Sequence, residues 1–322
     1  MKKRMKWVIG VGIILALLLG CSISNMVISA ANESRIKAEY QSCVYIGTEC
    51  INVYRDGEGD QTIVIIPEVD VLVPFIEYRP LMDQLSVEYE VVLIEPFGKG
   101  LSDVTKSERS LSQIVSELHS AIALSDVNEP YILMSVGYSN LYALPYLNQY
   151  QDEVSMYVTI DPNVPNQIDY MKYKPVSKVT SFVKTMGWAR LAKVMMPEVL
   201  SPSKYSDAYS TTQMNTMMEV AALRLGNSNI IEETQAINDV MREVRGMSIP
   251  TSIPTLAFIP TYDIDMHDWW LPEMQAFFQE SDSCKVSVSR AFQFMHRTNY
   301  HEIYVDLGRF MEDLYGEEEV EE

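Results

Sequence analysis

The hydrophobic pattern changes period several times along the chain, and each change marks an element. Residues 62–66 (TIVII), 90–94 (EVVLI), 131–134 (YILM) and 156–160 (MYVTI) are short runs rich in β-branched and other apolar side chains. Unbroken runs of this kind belong to strands buried on both faces. Between them, residues 78–85, 111–124 and 141–150 repeat apolar positions at helical spacing; Leu111, Ile114, Val115, Leu118 and Ile122 form one such stripe. Residues 40–45 and 50–55 alternate instead, which predicts an antiparallel hairpin turning near Gly47. Residues 168–245 are strand-poor and helical, with breaks at Pro175, Pro197, Pro202 and Gly226. Strand character returns at 255–259 and 286–289, and a last helix is predicted over 304–314. Strands alternating with helices imply an α/β domain with a mostly parallel sheet covered on both faces.

The N-terminus differs in kind. Lys2, Lys3, Arg4 and Lys6 form a basic cluster, and residues 7–31 then carry no charge. As a helix, that stretch covers a bilayer core, and the basic flank would stay on the cytoplasmic side. The expectation is a membrane-anchored protein whose domain faces the extracytoplasmic side of the cell membrane. Three fates stay open: an uncleaved signal-anchor, lipidation of Cys21 in Leu18-Leu-Gly-Cys21, or cleavage after Ser29-Ala-Ala31. The expected divisions are 1–31 for this segment, 32–315 for the domain (with 32–38 as a tether) and 316–322 for an acidic tail.

Composition narrows the partners. The chain has 322 residues, 47% hydrophobic and 21% charged, enough for one large domain with a buried core. Its net charge of −19 is the wrong sign for displacing phosphate counterions, so no nucleic-acid partner is expected. Cys43 and Cys50 flank the predicted hairpin turn, where either a disulfide or two unpaired thiols would fit, and Cys284 has no evident partner. No cysteine pair has metal-ligand spacing with histidine, and no metal is expected.

Four segments together resemble the α/β-hydrolase superfamily, over about residues 40–315. Pro96-Phe-Gly-Lys-Gly-Leu-Ser-Asp103 matches the family's G-x-G-x-S loop. Residues 131–154 match strand five, the nucleophile elbow and its helix; 253–263 match the strand that delivers the acid; 285–310 match the last strand, the histidine loop and the final helix. The resemblance implies the α/β-hydrolase fold with a helical lid, about residues 168–245, inserted after strand six. It also implies a serine nucleophile, a histidine base, an orienting acid and an oxyanion hole of backbone N–H groups, with no cofactor.

The matched positions depart from that pattern. The elbow reads Ser135-Val-Gly-Tyr-Ser-Asn140, which puts Gly137 at the nucleophile position. The base position falls on Gln293, which is not a base near neutral pH. The oxyanion loop reads Pro67-Glu-Val-Asp70, so Glu68 and Val69 stand where glycines are usual and carboxylates would repel a developing oxyanion. Asp263 keeps the acid position. The expectation is a catalytically impaired homologue acting by ligand or partner binding, with a small apolar or acyl ligand under the lid. The alternative is an active esterase- or lipase-type hydrolase using Ser139 or Ser135 with His296 and Asp263. His119, His267 and His301 have no serine partner legible in sequence. Met171, Met195, Met196, Met214, Met217 and Met218 read as helical core or as a flexible pocket lining. Trp269 and Trp270 read as a pocket gate, a membrane contact or packing under the lid.

Overall fold

A computed structural model describes residues 2–178, 180, 207–279 and 283–316. Its strands are β1 (Cys43–Ile46), β2 (Glu49–Asp56), β3 (Thr62–Ile66), β4 (Glu90–Glu95), β5 (Tyr131–Val136), β6 (Val154–Ile160), β7 (Thr255–Pro260) and β8 (Cys284–Ser289). They form one sheet in the order β1-β2-β4-β3-β5-β6-β7-β8. The β1–β2 hairpin joins β4 antiparallel, and β3 to β8 pair in parallel. The helices are α1 (Lys2–Tyr40), α2 (Pro74–Glu77), α3 (Arg79–Leu85), α4 (Leu111–Leu124), α5 (Asn140–Gln149), α6 (Thr211–Arg224), α7 (Ser228–Glu243), α8 (Thr261–Met266), α9 (Trp270–Phe278), α10 (Met295–Thr298) and α11 (Tyr300–Tyr315).

The unbroken apolar runs are strands because alternate side chains serve opposite faces. Ile63 and Ile65 join one hydrophobic cluster with α3 and α11, while Val64 and Ile66 join another with α4 and α5. In the described part of the block between β6 and β7, α6 and α7 carry capping side chains. Ser210 and Asn227 accept from the N–H groups of Gln213 and Ile230. Met217 and Met218 are buried in the first cluster, as core residues. Met195, Met196, Pro197 and Pro202, and the acidic tail from 317, lie outside the described residues.

The N-terminal expectation is overturned. The expected anchor and the expected tether at 32–38 form one helix, α1, continuous to Tyr40. Pairs at i,i+4 spacing, Glu33–Lys37 (3.5 Å) and Arg35–Glu39 (4.0 Å), favour helix where a tether was expected. This end is fastened to the domain: Ile36 is buried, Glu33 meets Arg224 (3.1 Å), Arg35 meets Glu219 (3.0 Å) and Lys37 meets Asp103 (3.3 Å). Among the described residues no helix is long and apolar enough to cross a membrane. The expected signal-anchor, the membrane as partner and the extracytoplasmic placement are withdrawn with it.

Smaller differences follow local chemistry. Cys43 and Cys50, left open by the sequence, are joined by a disulfide, with Cα atoms 5.3 Å apart. The last helix starts at Tyr300 rather than 304, which puts His301 in its first turn. Helices α2, α8, α9 and α10 were not read from the sequence.

At the end of β4, Glu95 is fully buried and organises the loop matched to G-x-G-x-S. Its carboxylate accepts from Asn52 Nδ2 (2.8 Å), Phe75 N (2.9 Å) and Leu101 N (2.8 Å). Gly100 is required here: its φ is +49°, and a Cβ would overlap the Glu95 carboxylate. Each buried donor left unpaired costs about 1–3 kcal/mol. Glu95→Ala is therefore expected to lower stability by at least about 3 kcal/mol in a urea melt; a loss below about 1 kcal/mol would show that water replaces the carboxylate.

Candidate functional site

Open parallel sheets bind ligands beyond the carboxyl ends of their strands. Here five strand ends converge on one pocket of about 180 Å³. Glu68 and Asp70 come from the loop after β3, Val136 and Tyr138 from the turn after β5, and Asp161 from the end of β6. Asp263 comes from α8 after β7, and Gln293 and His296 from the segment after β8.

Gly137 sits on the tight turn between β5 and α5 with φ +61°. A Cβ there would overlap Glu68 Oε2, so the Glu68 carboxyl fills the space above the glycine. Both Glu68 oxygens face the N–H of Tyr138, at 3.1 and 3.0 Å, and Oε1 also accepts from Val69 N at 2.6 Å. In an acyl-transfer site of this architecture, those two N–H groups would hold the oxyanion. The sequence suggested a carboxylate placed to repel a developing oxyanion. Glu68 is instead seated on the donors themselves. Burial and then Asp70 push its pKa up from 4.5 to about 8, against the Tyr138 and Val69 N–H groups and Lys99.

Gln293 Nε2 donates to Asp263 Oδ1 at 3.1 Å. Asp161, held at φ +51°, lies beside Asp263. Burial, then the adjacent Asp263 carboxylate, raises Asp161 well above the usual range, and burial raises Asp263. Asp70 accepts from Tyr173 OH, and burial raises its pKa as well.

The alternative nucleophiles do not face this pocket. Ser139 is fully buried and works as a backbone clamp, donating to Ile66 O (3.0 Å) or Val136 O (2.8 Å) and accepting from Val136 N (2.9 Å). Ser135, also buried, bonds Tyr157 OH (2.6 Å) and Thr159 Oγ1 (3.1 Å). His296 lines the pocket, but its Nε2 faces Glu77 Oε1 at 3.3 Å and its ring stacks on Tyr78 at 4.4 Å. Burial lowers its pKa, so the ring is neutral. The structure therefore does not assemble Ser139, His296 and Asp263 into one hydrogen-bonded array. His267 and Trp270 line the pocket, while Trp269 stacks on Tyr170 at 4.5 Å. His119 stacks on Tyr150 at 3.8 Å and bonds Glu153.

Asp161 and Tyr138 were missed as site residues, while Asp70 was read only as a second carboxylate of the oxyanion loop and Trp270 only as a pocket gate among other readings. The signal for Asp161 was present: an acid directly after a buried strand, as with Asp263 after β7. The lining mixes these four carboxyl groups with the apolar surface of Val136, Met171, Trp270 and Phe294. Among the described residues, no group of three or more His, Cys, Asp or Glu is arranged to hold a metal ion.

A carboxyl whose pKa is higher folded than unfolded stabilises the fold below its unfolded pKa and loses that contribution as pH rises. For Glu68 the window runs from 4.5 to about 8. The stability of the wild type relative to Glu68→Gln should therefore fall through that window and level off above it. Parallel thermal melts across the window check this, and a flat or rising difference would contradict it.

Comparison with known proteins agrees with this architecture. No family model matches the chain. The uncharacterized protein YbdG of Bacillus subtilis is 27% identical over 163 residues, 49% of this chain and 50% of that protein, so the match spans about half the relative's length. Among solved structures, potato epoxide hydrolase I matches with a TM-score of 0.63 at 16% identity, over 84% of this chain and 98% of that one. A Vigna radiata epoxide hydrolase matches with 0.61 at 13%, over 84% and 97%. A putative epoxide hydrolase from Pseudomonas aeruginosa matches with 0.61 at 11%, over 84% and 94%. With its eight-stranded sheet, its strand order and these neighbours, the chain has the α/β-hydrolase fold.

Proposed function

We propose that this protein uses a hydrolase scaffold to bind a ligand at the strand ends and does not cleave acyl substrates. One observation carries the reading: the Glu68 carboxyl fills the space over Gly137 and occupies the N–H groups of Val69 and Tyr138. Acyl transfer needs a nucleophile above that turn and empty donors aimed at the oxyanion. Gln293 supports the same conclusion. It makes the hydrogen bond to Asp263 that a histidine would make, yet it accepts no proton near neutral pH. The epoxide hydrolases that share the fold are too distant in sequence to lend their activity. The serine-hydrolase alternative would have to free Ser139 from the strand and turn that it clamps.

The test is labelling of the full chain with a fluorophosphonate probe, followed by peptide mapping, on protein with a cooperative melt. No serine should be modified; labelling at Ser139 or Ser135 would reverse the conclusion. Gly137→Ser should remain unlabelled and lose about 1–3 kcal/mol, from left-handed strain and the clash with Glu68. Adding Glu68→Gly should recover part of that loss, because the clash goes and the strain stays. Strictly additive losses in the double variant would place Glu68 elsewhere.

A further inference from the structure

The lining of the pocket selects among ligands. Carboxyl groups of Glu68, Asp70, Asp161 and Asp263 reach it from three strand ends, and among the described residues its lining includes no Lys or Arg. Of the nearby cations, Lys99 bonds Glu233 and the Glu68 backbone carbonyl, each at 3.5 Å, and Arg297 is engaged with Glu77 and over the Phe294 ring at 4.0 Å. Tyr138 and Trp270 add aromatic surface to the same cavity. Carboxylates beside aromatic faces favour an organic cation, through charge and through the ring quadrupole.

A second observation is independent of charge. Among the described residues, four polar atoms on buried lining side chains have no partner: Gln167 Oε1 (1% exposed), Asp263 Oδ2 (4%), Trp270 Nε1 (4%) and His296 Nδ1 (0%). Buried polar groups are nearly always paired, so an unpaired set gathered around one cavity points to an occupant that pairs them. With the His296 proton on Nε2 toward Glu77, Nδ1 accepts; Gln167 Oε1 accepts and Trp270 Nε1 donates. The occupant should carry both donors and an acceptor. At about 180 Å³ the cavity is well below that of a drug-sized site, so the occupant has few heavy atoms.

We propose that this pocket binds a small organic ammonium compound of the amino-alcohol type. The ammonium sits among the carboxyl groups and the Tyr138 and Trp270 rings, and the hydroxyl meets the unpaired polar atoms. The assignment deepens the ligand-binding reading above and rests on it. A cation among these acids favours their ionised forms and is held by them, which a neutral or anionic ligand does not do.

The experiment is calorimetric titration of the full chain with choline and with ethanolamine. The controls are 3,3-dimethyl-1-butanol, the uncharged isostere of choline, and hexanoate, all at matched ionic strength. Saturable binding of either ammonium compound is expected, with the isostere weaker by about tenfold or more. Ethanolamine binding would indicate a hydrogen-bonded primary ammonium, and choline binding one held by the aromatic faces; either supports the proposal. Asp263→Asn and Trp270→Phe should each weaken binding several-fold. Should a variant fail to fold, the comparison of choline with its isostere on the wild type still decides. Equal binding of the isostere, binding of hexanoate, or binding of neither ammonium compound would overturn the proposal. A serine labelled by fluorophosphonate would instead overturn the reading beneath it, whatever the titrations give.

Discussion

The turn from β5 into α5 must leave its first backbone N–H groups somewhere to bond, and Glu68 is the answer this chain has found. Helix N-termini carry unpaired donors and a partial positive charge, which draw a carboxyl or an anion to them. The loop after β3 delivers that carboxyl, and its position fixes much around it. Position 137 must lack a side chain, Val69 N–H points inward, and the Glu68 N–H is left to donate to Tyr78 OH at 2.8 Å. Tyr78 in turn carries the His296 ring, whose Nε2 turns to Glu77 and not to the pocket. A single seated carboxyl thus arranges both sides of the site.

The acids around the pocket tolerate one another because they do not all hold charge. Burial raises each member of the group toward its neutral form, and the Asp263 carboxylate raises Asp161 further. The backbone is forced as well: Gly137, Asp161 and Phe294 all have left-handed φ, at +61°, +51° and +69°. Strain clustered at one place persists only where the surroundings over-determine it. Here the parallel sheet and the Glu95-centred loop supply that rigidity.

The fold was legible because a parallel sheet leaves an unbroken apolar signature; β3 and α4 lie where the pattern puts them, at Thr62–Ile66 and Leu111–Leu124. That Gly137, Asp263 and Gln293 meet at one end of the sheet also follows from strand order and spacing. Direction is what sequence does not hold. Glu68 read as an acid in a loop, and only geometry shows it turned back over Gly137. Asp161 drew no reading at all, because one aspartate after a strand is commonplace. The N-terminal stretch misled for another reason: an absence of charge says nothing about where a helix ends, and the Glu33–Lys37 and Arg35–Glu39 pairs carry α1 onward to the domain.

The overlap between position 137 and Glu68 also sets a direction for sequence drift. A side chain at 137 clashes while Glu68 stays in place, so the less strained order of change begins at 68. That first step empties two buried N–H groups before anything else can use them, leaving an intermediate less stable than either end. Changing either position alone therefore crosses a valley, which ties the two residues to one another.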